Sequence, residues 1–351
     1  MNINTVDLFC GIGGLSYGLK KTGFNITAGI DLDKSCKFAY ETNNNTPFIE
    51  ADITKISSDE IKKYLNGNIN ILVGCAPCQP FSTHSLKIKK KGNLEKDDSR
   101  WPLLYSFANL IEKVKPDIIS MENVPQLRKH RVFTDFITKI RSLGYHVHWE
   151  IVNCPDFGIP QNRKRLVLLG SRFGPIKLIE KTHNKNNYVN VKQAIGGLPK
   201  IKAGTYCKKD ILHKSQSLKE INLKRISQSK PGGSWKDWDS SLILECHKKE
   251  SGKSFSAVYG RMEWEKPSPT ITTKFFNYGT GRFGHPEQDR ALSLREGAIL
   301  QTFPNDYKFF KDNQEFSIST IAKHIGNAVP PKLGEVIGLS IKKHLEENKV
   351  N

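Results

Sequence analysis

Through the first half of the chain, short β-rich runs alternate with longer stretches whose apolar residues recur at helical spacing. INTVDLF, ITAGID, INILVGCA, IISMEN, VHWEIVNC and RLVLLGS carry the aliphatic and β-branched character of strands. LSYGLKKTG and LLYSFANLIEKVK, lying between them, carry the spacing of helices. Alternation of this kind predicts an α/β fold with a doubly wound, mostly parallel sheet, whose ligands collect at the carboxyl ends of the strands. From Ser171 to Lys266 the periodicity fades, and PGGSW at Pro231 to Trp235 marks a loop-rich insert. Regular patterns return in LSLREGAILQTF, a helix with Ser293 as N-cap, and from Pro331 to Leu345.

Composition sharpens the picture of the insert. The 351 residues include 54 Lys plus Arg against 35 Asp plus Glu, a net charge of +19. The segment 171–266 holds 20 of those basic residues and 9 of the acidic ones, so it carries a surplus of 11. Such a balance suits a polyanion, because Lys and Arg displace counterions from phosphates. Seven cysteines, an odd number spread along the chain, argue against a secreted disulfide framework and for reduced thiols in a cytosol. No apolar run reaches membrane-spanning length, and no signal-peptide pattern opens the sequence; a cytoplasmic protein is expected.

Three segments carry candidate chemistry. In VDLFCGIGGLSYGL, Gly11, Gly13 and Gly14 form a tight turn between strand and helix, where backbone can approach a ligand; an ordinary βα turn would look the same. Asp31 ends the next strand and Asp52 the one after, in FIEADI, where carboxylates can accept ribose hydroxyls; each could equally be a turn or N-cap residue. The loop lacks GxxxxGK and GxGxxG spacing, which favours a nucleoside ligand without a pyrophosphate. INILVGCAPCQPFS runs a strand into a turn stiffened by Pro77 and Pro80, with Cys78 at the strand's carboxyl end. That thiol could be buried and structural, or paired with Cys75 as a redox or half-zinc CxxC, although no second CxxC or standard ligand spacing accompanies it, and no metal is expected.

Taken in order, the glycine loop, CAPCQPFS, ENV at Glu122 to Val124, QNRKR at Gln161 to Arg165 and GNAVP at Gly326 to Pro330 resemble the DNA cytosine C5 methyltransferases of bacterial restriction-modification type. The resemblance covers nearly the whole chain apart from the basic middle. It implies a sheet of the class I S-adenosyl-L-methionine-dependent methyltransferase type. A catalytic domain would comprise residues 1–190 and 315–351, and a smaller loop-rich target-recognition domain with its hinge residues 191–314.

The same resemblance implies roles. Cys78 would be the thiolate that adds to C6 of a flipped-out cytosine, making C5 nucleophilic. Glu122 would hold N3 and the exocyclic amine, with Arg165 and Arg163 orienting base and carboxylate; read without the resemblance, Glu122 is a turn cap and the arginines a solvated cluster. S-adenosyl-L-methionine, leaving as S-adenosyl-L-homocysteine, would meet Phe9, Gly11, Gly13, Gly14, Asp31, Leu32, Asp52, Ile53, Pro77, Leu103, Asn327 and Val329. Trp101 and Pro102 depart from the family's smaller residues beside Leu103. Double-stranded DNA would meet Gln79, Ser82, Lys89, Lys90 and Lys91 of a lysine-rich lid, which could also be a plain charged loop. Arg261 and Thr270 are further DNA candidates, in and around the PSPTITT stretch that organises the smaller domain, with Phe275, Phe276 and Tyr278 as core.

The expected protein is thus a monomer at the bacterial nucleoid, with a cognate endonuclease encoded separately. A tRNA cytosine C5 methyltransferase on the same scaffold and a catalytically silent DNA-binding regulator are the alternatives.

Overall fold

The computed structural model describes residues 2–77, 101–312 and 314–350. Two compact units emerge: one comprises 1–153, 164–181 and 329–351, the other 154–163 and 182–328.

The first unit is built on a seven-stranded sheet. Its strands are β1 (Ile3–Leu8), β2 (Asn25–Asp31), β3 (Phe48–Glu50), β4 (Ile69–Gly74), β5 (Ile118–Asn123), β6 (His146–Asn153) and β8 (Lys164–Ser171), in the order β3-β2-β1-β4-β5-β8-β6. Every neighbouring pair from β3 to β5 is parallel. Strand β8 alone runs backwards, antiparallel to both β5 and β6. The central strands β1, β4 and β5 are buried at all but one position of β1 and one of β4, as continuous aliphatic runs covered on both faces should be, and all six residues of β5 are buried. FIEADI is a shorter strand than the sequence suggests, since β3 stops at Glu50 and Asp52 falls in the following turn.

Helices α1 (Gly14–Lys21), α2 (Lys37–Asn44), α3 (Ser58–Lys62), α4 (Trp101–Val114) and α5 (Arg131–Ser142) follow their strands. The α5 sequence buries Val132, Phe133, Phe136 and Ile140 against the sheet core while its charged residues face water. The C-terminal helix Pro331–Glu347 packs on α1 at very short range. A Cβ added to Gly18 would lie 2.1 Å from the Pro331 carbonyl oxygen, so only glycine allows the two backbones to approach this closely.

The second unit is poor in regular structure. A two-residue strand β7 (Gln161–Asn162) pairs in parallel with Ser268–Pro269 of PSPTITT, and Tyr206–Cys207 pairs with Asp210–Lys214. Its elements are organised by buried polar groups. Glu296 meets Arg290 in a two-pronged ion pair, 2.7 Å at each contact, inside a core where both are at most 1% exposed. Burial pushes the Glu296 carboxyl up, but the hydrogen bonds and charge of Arg290 outweigh it and hold the group at about 2. Ser293 caps helix Leu294–Leu300 in a capping box with the same Glu296. Phe275 and Tyr278 are buried, as the sequence suggests, and Phe276 is half-buried. No helix among the described residues is long and apolar enough to cross a membrane.

Candidate active site

The glycine loop sits at the carboxyl end of β1. Phe9 (φ 59°), Gly11 (φ 51°) and Gly13 (φ 87°) all lie in the left-handed region, so the chain folds back sharply before α1 begins at Gly14. A Cβ on Gly11 would meet nothing within 4 Å, which leaves open space over the loop. Gly11 donates its N–H to Asp31 Oδ2 and Asp33 donates to Asp31 Oδ1, each at 2.8 Å. Two backbone donors thus aim the carboxylate that ends β2, while burial raises its pKa above the ordinary range. Beside it Leu32 is 66% exposed, an aliphatic side chain with no protein cover.

Asp52 accepts from the N–H and hydroxyl of Thr54 within its own turn, which lowers its pKa, and Ile53 behind it is buried. Of the other expected cofactor contacts, Val329 is buried, Leu103 is half-buried near the start of α4, and Pro77 is exposed at the end of β4's continuation. Asn327 is exposed as the last residue of Ile318–Asn327, a helix of the second unit.

A residue that the sequence reading passes over lies beneath the loop. Asp7, fully buried in β1, accepts from Ser16 Oγ at 2.6 Å, and Ser16 in turn meets the Tyr40 hydroxyl at 3.0 Å. Burial pushes the Asp7 carboxyl up to about 7, with the charge of Asp31 adding to the rise. A lone acid within an apolar strand is the signal that could have found it.

The second cluster forms where β4, β5 and β8 end together. Gly74 of β4 pairs with Met121, and β8 pairs with β5 through Glu122 and Val167. Because β8 runs backwards, its first residues arrive at the same edge as the last residues of β5. Arg165 Nε consequently stands 2.8 Å from Glu122 Oε1, both side chains largely buried. The N–H does not point along that line, so among the described residues Oε1 has no aligned donor and remains able to accept one. Asn123, the middle residue of ENV, given no role of its own in the sequence, donates from Nδ2 to the carbonyl of Ala76 at 3.1 Å. Cys78, Gln79, Ser82, Lys89, Lys90 and Lys91 lie outside the described residues.

Two arginines make their contacts within the second unit. Arg163 belongs to the second unit and is 3% exposed; its Nη1 and Nη2 donate to the carbonyls of Ile271 and Ala328. Its neighbour Gln161 donates to Leu300 O and Gln301 Oε1 and accepts from Ile271 N, so this half of QNRKR binds the second unit together. Arg261, expected to touch DNA, is buried instead: its guanidinium donates to the carbonyls of Ile226, Ser229, His285 and Gln288 and pairs with Asp289. With every nitrogen spent on protein, it organises the unit and has none to offer a phosphate. Thr270 is half-buried and donates to Asn162 O at 2.6 Å.

Residues 3–343 match the C-5 cytosine-specific DNA methylase family. The type II methylase M.HgiDII of Herpetosiphon aurantiacus is 52% identical over 345 residues, covering 97% of this chain and 95% of its own. A type II methyltransferase of Haemophilus parahaemolyticus is 31% identical, covering 98% of this chain and 87% of its own. Among solved structures, one described as a DNA modification methyltransferase from an Escherichia coli prophage superposes with a TM-score of 0.72 at 21% identity, covering 98% of this chain and 99% of its own. The DNMT2 protein of Spodoptera frugiperda has a TM-score of 0.65 at 17% identity, with 95% and 98% covered, a likeness of fold. The chain belongs to the C-5 cytosine-specific DNA methylase family.

Proposed function

We propose that this enzyme methylates C5 of a cytosine extruded from duplex DNA at one short sequence, with Cys78 as nucleophile and S-adenosyl-L-methionine as donor. The observation that carries this reading is the Glu122–Arg165 pair: a buried carboxylate, 2.8 Å from a guanidinium, with one oxygen that has no aligned donor among the described residues.

Cytosine C5 is too weak a nucleophile to take a methyl group unaided, so electron density has to be pushed onto it. The Cys78 thiolate adds to C6, and the negative charge that spreads over the ring toward N3 is met by Glu122. A carboxyl there can supply a proton or a strong hydrogen bond at N3 and accept one from the exocyclic amine, while Arg165 holds it in register. Once C5 is methylated, water takes the C5 proton, and the electron pair left behind forms the C5–C6 double bond and expels Cys78 from C6 as the thiolate. The base must first leave the stack, at a cost of roughly a few kcal/mol.

The residues at the β1 and β2 ends fit the donor. Asp31, aimed by Gly11 and Asp33, suits ribose hydroxyls; uncovered Leu32 and Phe9 suit an adenine face; and the space over Gly11 admits a ligand close to backbone. Bound there, S-adenosyl-L-methionine supplies an electrophilic methyl on a sulfonium. Asn327 and Val329 belong to the same proposal. So do a single-subunit enzyme, a cytoplasmic setting at the nucleoid and a separately encoded endonuclease, which the 52% identity to a type II methylase supports.

The test is tritium transfer from labelled donor to duplex DNA and, in parallel, to tRNA. We expect incorporation into DNA alone and none with Cys78→Ser, which should still bind the donor; transfer to tRNA only, or full activity of the variant, would overturn the reading.

A further inference from the structure

Elsewhere on its helices the chain tends to pair lysines with acids one turn away, as in Lys37–Glu41, Lys224–Glu220 and Lys343–Glu347. The edge beside Glu122 departs from that habit. After β5 the backbone makes a 3-10 turn over Pro125–Lys129, anchored by fully buried Leu127, before α5 starts at Arg131. Arg128 and Lys129 emerge from this turn exposed. Strand β8 packs against the turn, and its first residue, exposed Lys164, adjoins Arg165. Arg131 is drawn toward Asp135, at 3.6 Å, but among the described residues Arg128, Lys129 and Lys164 have no acidic partner.

Three uncompensated cations on one strand-end edge repel each other unless an anion lies across them. The amino end of the 12-residue helix α5, which opens at the same place, adds its own partial positive charge. We propose that Arg128, Lys129 and Lys164 clamp the sugar–phosphate backbone of the DNA beside the extruded nucleotide. This rests on the reading that Glu122 and Arg165 hold the base. Rotating a nucleotide out of the stack leaves its flanking phosphates as the handles by which the strand is kept in place, and cations fixed next to the base pocket grip those handles whatever the sequence.

The clamp predicts a sequence-independent, salt-sensitive contribution to binding. Each phosphate neutralised adds about 0.9 to the slope of log affinity against log salt. Fluorescein-labelled 30-base-pair duplexes of unrelated sequence, titrated from low to high salt, read it directly. For R128Q/K129Q/K164Q we expect the slope to fall by roughly two to three and affinity at low salt to fall at least about tenfold on every duplex alike. A charge-matched variant at the opposite strand edge, K63Q/K113Q/K115Q, separates a local clamp from loss of net charge. An unchanged slope, or an equal fall in the charge-matched variant, overturns the proposal. Glu122→Gln, measured both in this titration and for tritium transfer from labelled donor to duplex DNA, tests the base pocket separately: methyl transfer should fall with the slope intact, so failure of that reading appears in turnover and failure of the clamp in salt dependence.

Discussion

Asn123 Nδ2 donates to the carbonyl oxygen of Ala76 at 3.1 Å, so the last residue of β5 grips the chain two residues before Cys78. Its own Oδ1 accepts from the N–H of Val124, which fixes the amide's orientation. Asn123→Ala removes the grip and strands a carbonyl, at a stability cost of about 1–3 kcal/mol. The larger effect is expected in turnover, because displacing a nucleophile by an ångström can cost about 100-fold. Single-turnover methyl transfer and thermal melting, measured together, separate the two; a variant as fast as the parent refutes the role.

Glu122→Gln keeps the side chain's shape and loses its charge and acidity. General acid–base contributions run to about 10²–10⁴-fold, and a fall of that size in kcat is expected, with DNA affinity kept. A fall in affinity alone would mean that Glu122 only binds.

Asp7 makes a prediction about pH. Burial raises its pKa from 3.8 to about 7, so between those values the folded protein holds a proton that the unfolded chain has lost. Stability from this group is therefore complete below about pH 4 and declines as pH rises through 7. Asp7→Asn keeps an acceptor for Ser16 and removes the titration. Relative to the parent, the variant should gain stability steadily from pH 4 to pH 7, by as much as ~4 kcal/mol. Chemical denaturation at several pH values measures the difference, and parallel pH profiles would contradict it.

Gly18→Ala tests the contact between α1 and Pro331–Glu347. The added methyl would meet the Pro331 carbonyl oxygen at 2.1 Å and the Glu335 nitrogen at 2.6 Å, both backbone atoms that can move only with the helix. Overpacking of this kind costs about 1–3 kcal/mol or more, seen as a lower melting temperature. A melting point equal to the parent's would show that the helices do not meet so closely.

The strands and motif order were legible in the sequence because buried parallel strands are written as unbroken aliphatic runs, and because glycines and prolines punctuate their ends. Ser293 was legible as a cap for the same local reason. Helix α5 was passed over although Val132, Phe133, Phe136 and Ile140 carry its pattern, and so was Ile318–Asn327. The arginines show where local reading stops. Arg163 and Arg165 are two residues apart, yet β8 begins between them, and strand alternation says nothing of a side chain that precedes the strand. Arg261 looks like any cation in a basic segment; four carbonyls from distant parts of the chain consume it, and those meet only in the folded unit.

The reversed direction of β8 has a consequence for how this enzyme can change. Side chains alternate along a strand, so sliding β8 by one position against β5 would turn Arg165 away from Glu122 and bring Lys164 or Leu166 in its stead. The stretch from Cys154 to Arg163 that leads into β8 therefore has its length effectively locked. Natural variation should spare it, and a one-residue deletion there should silence the enzyme while leaving the sheet standing.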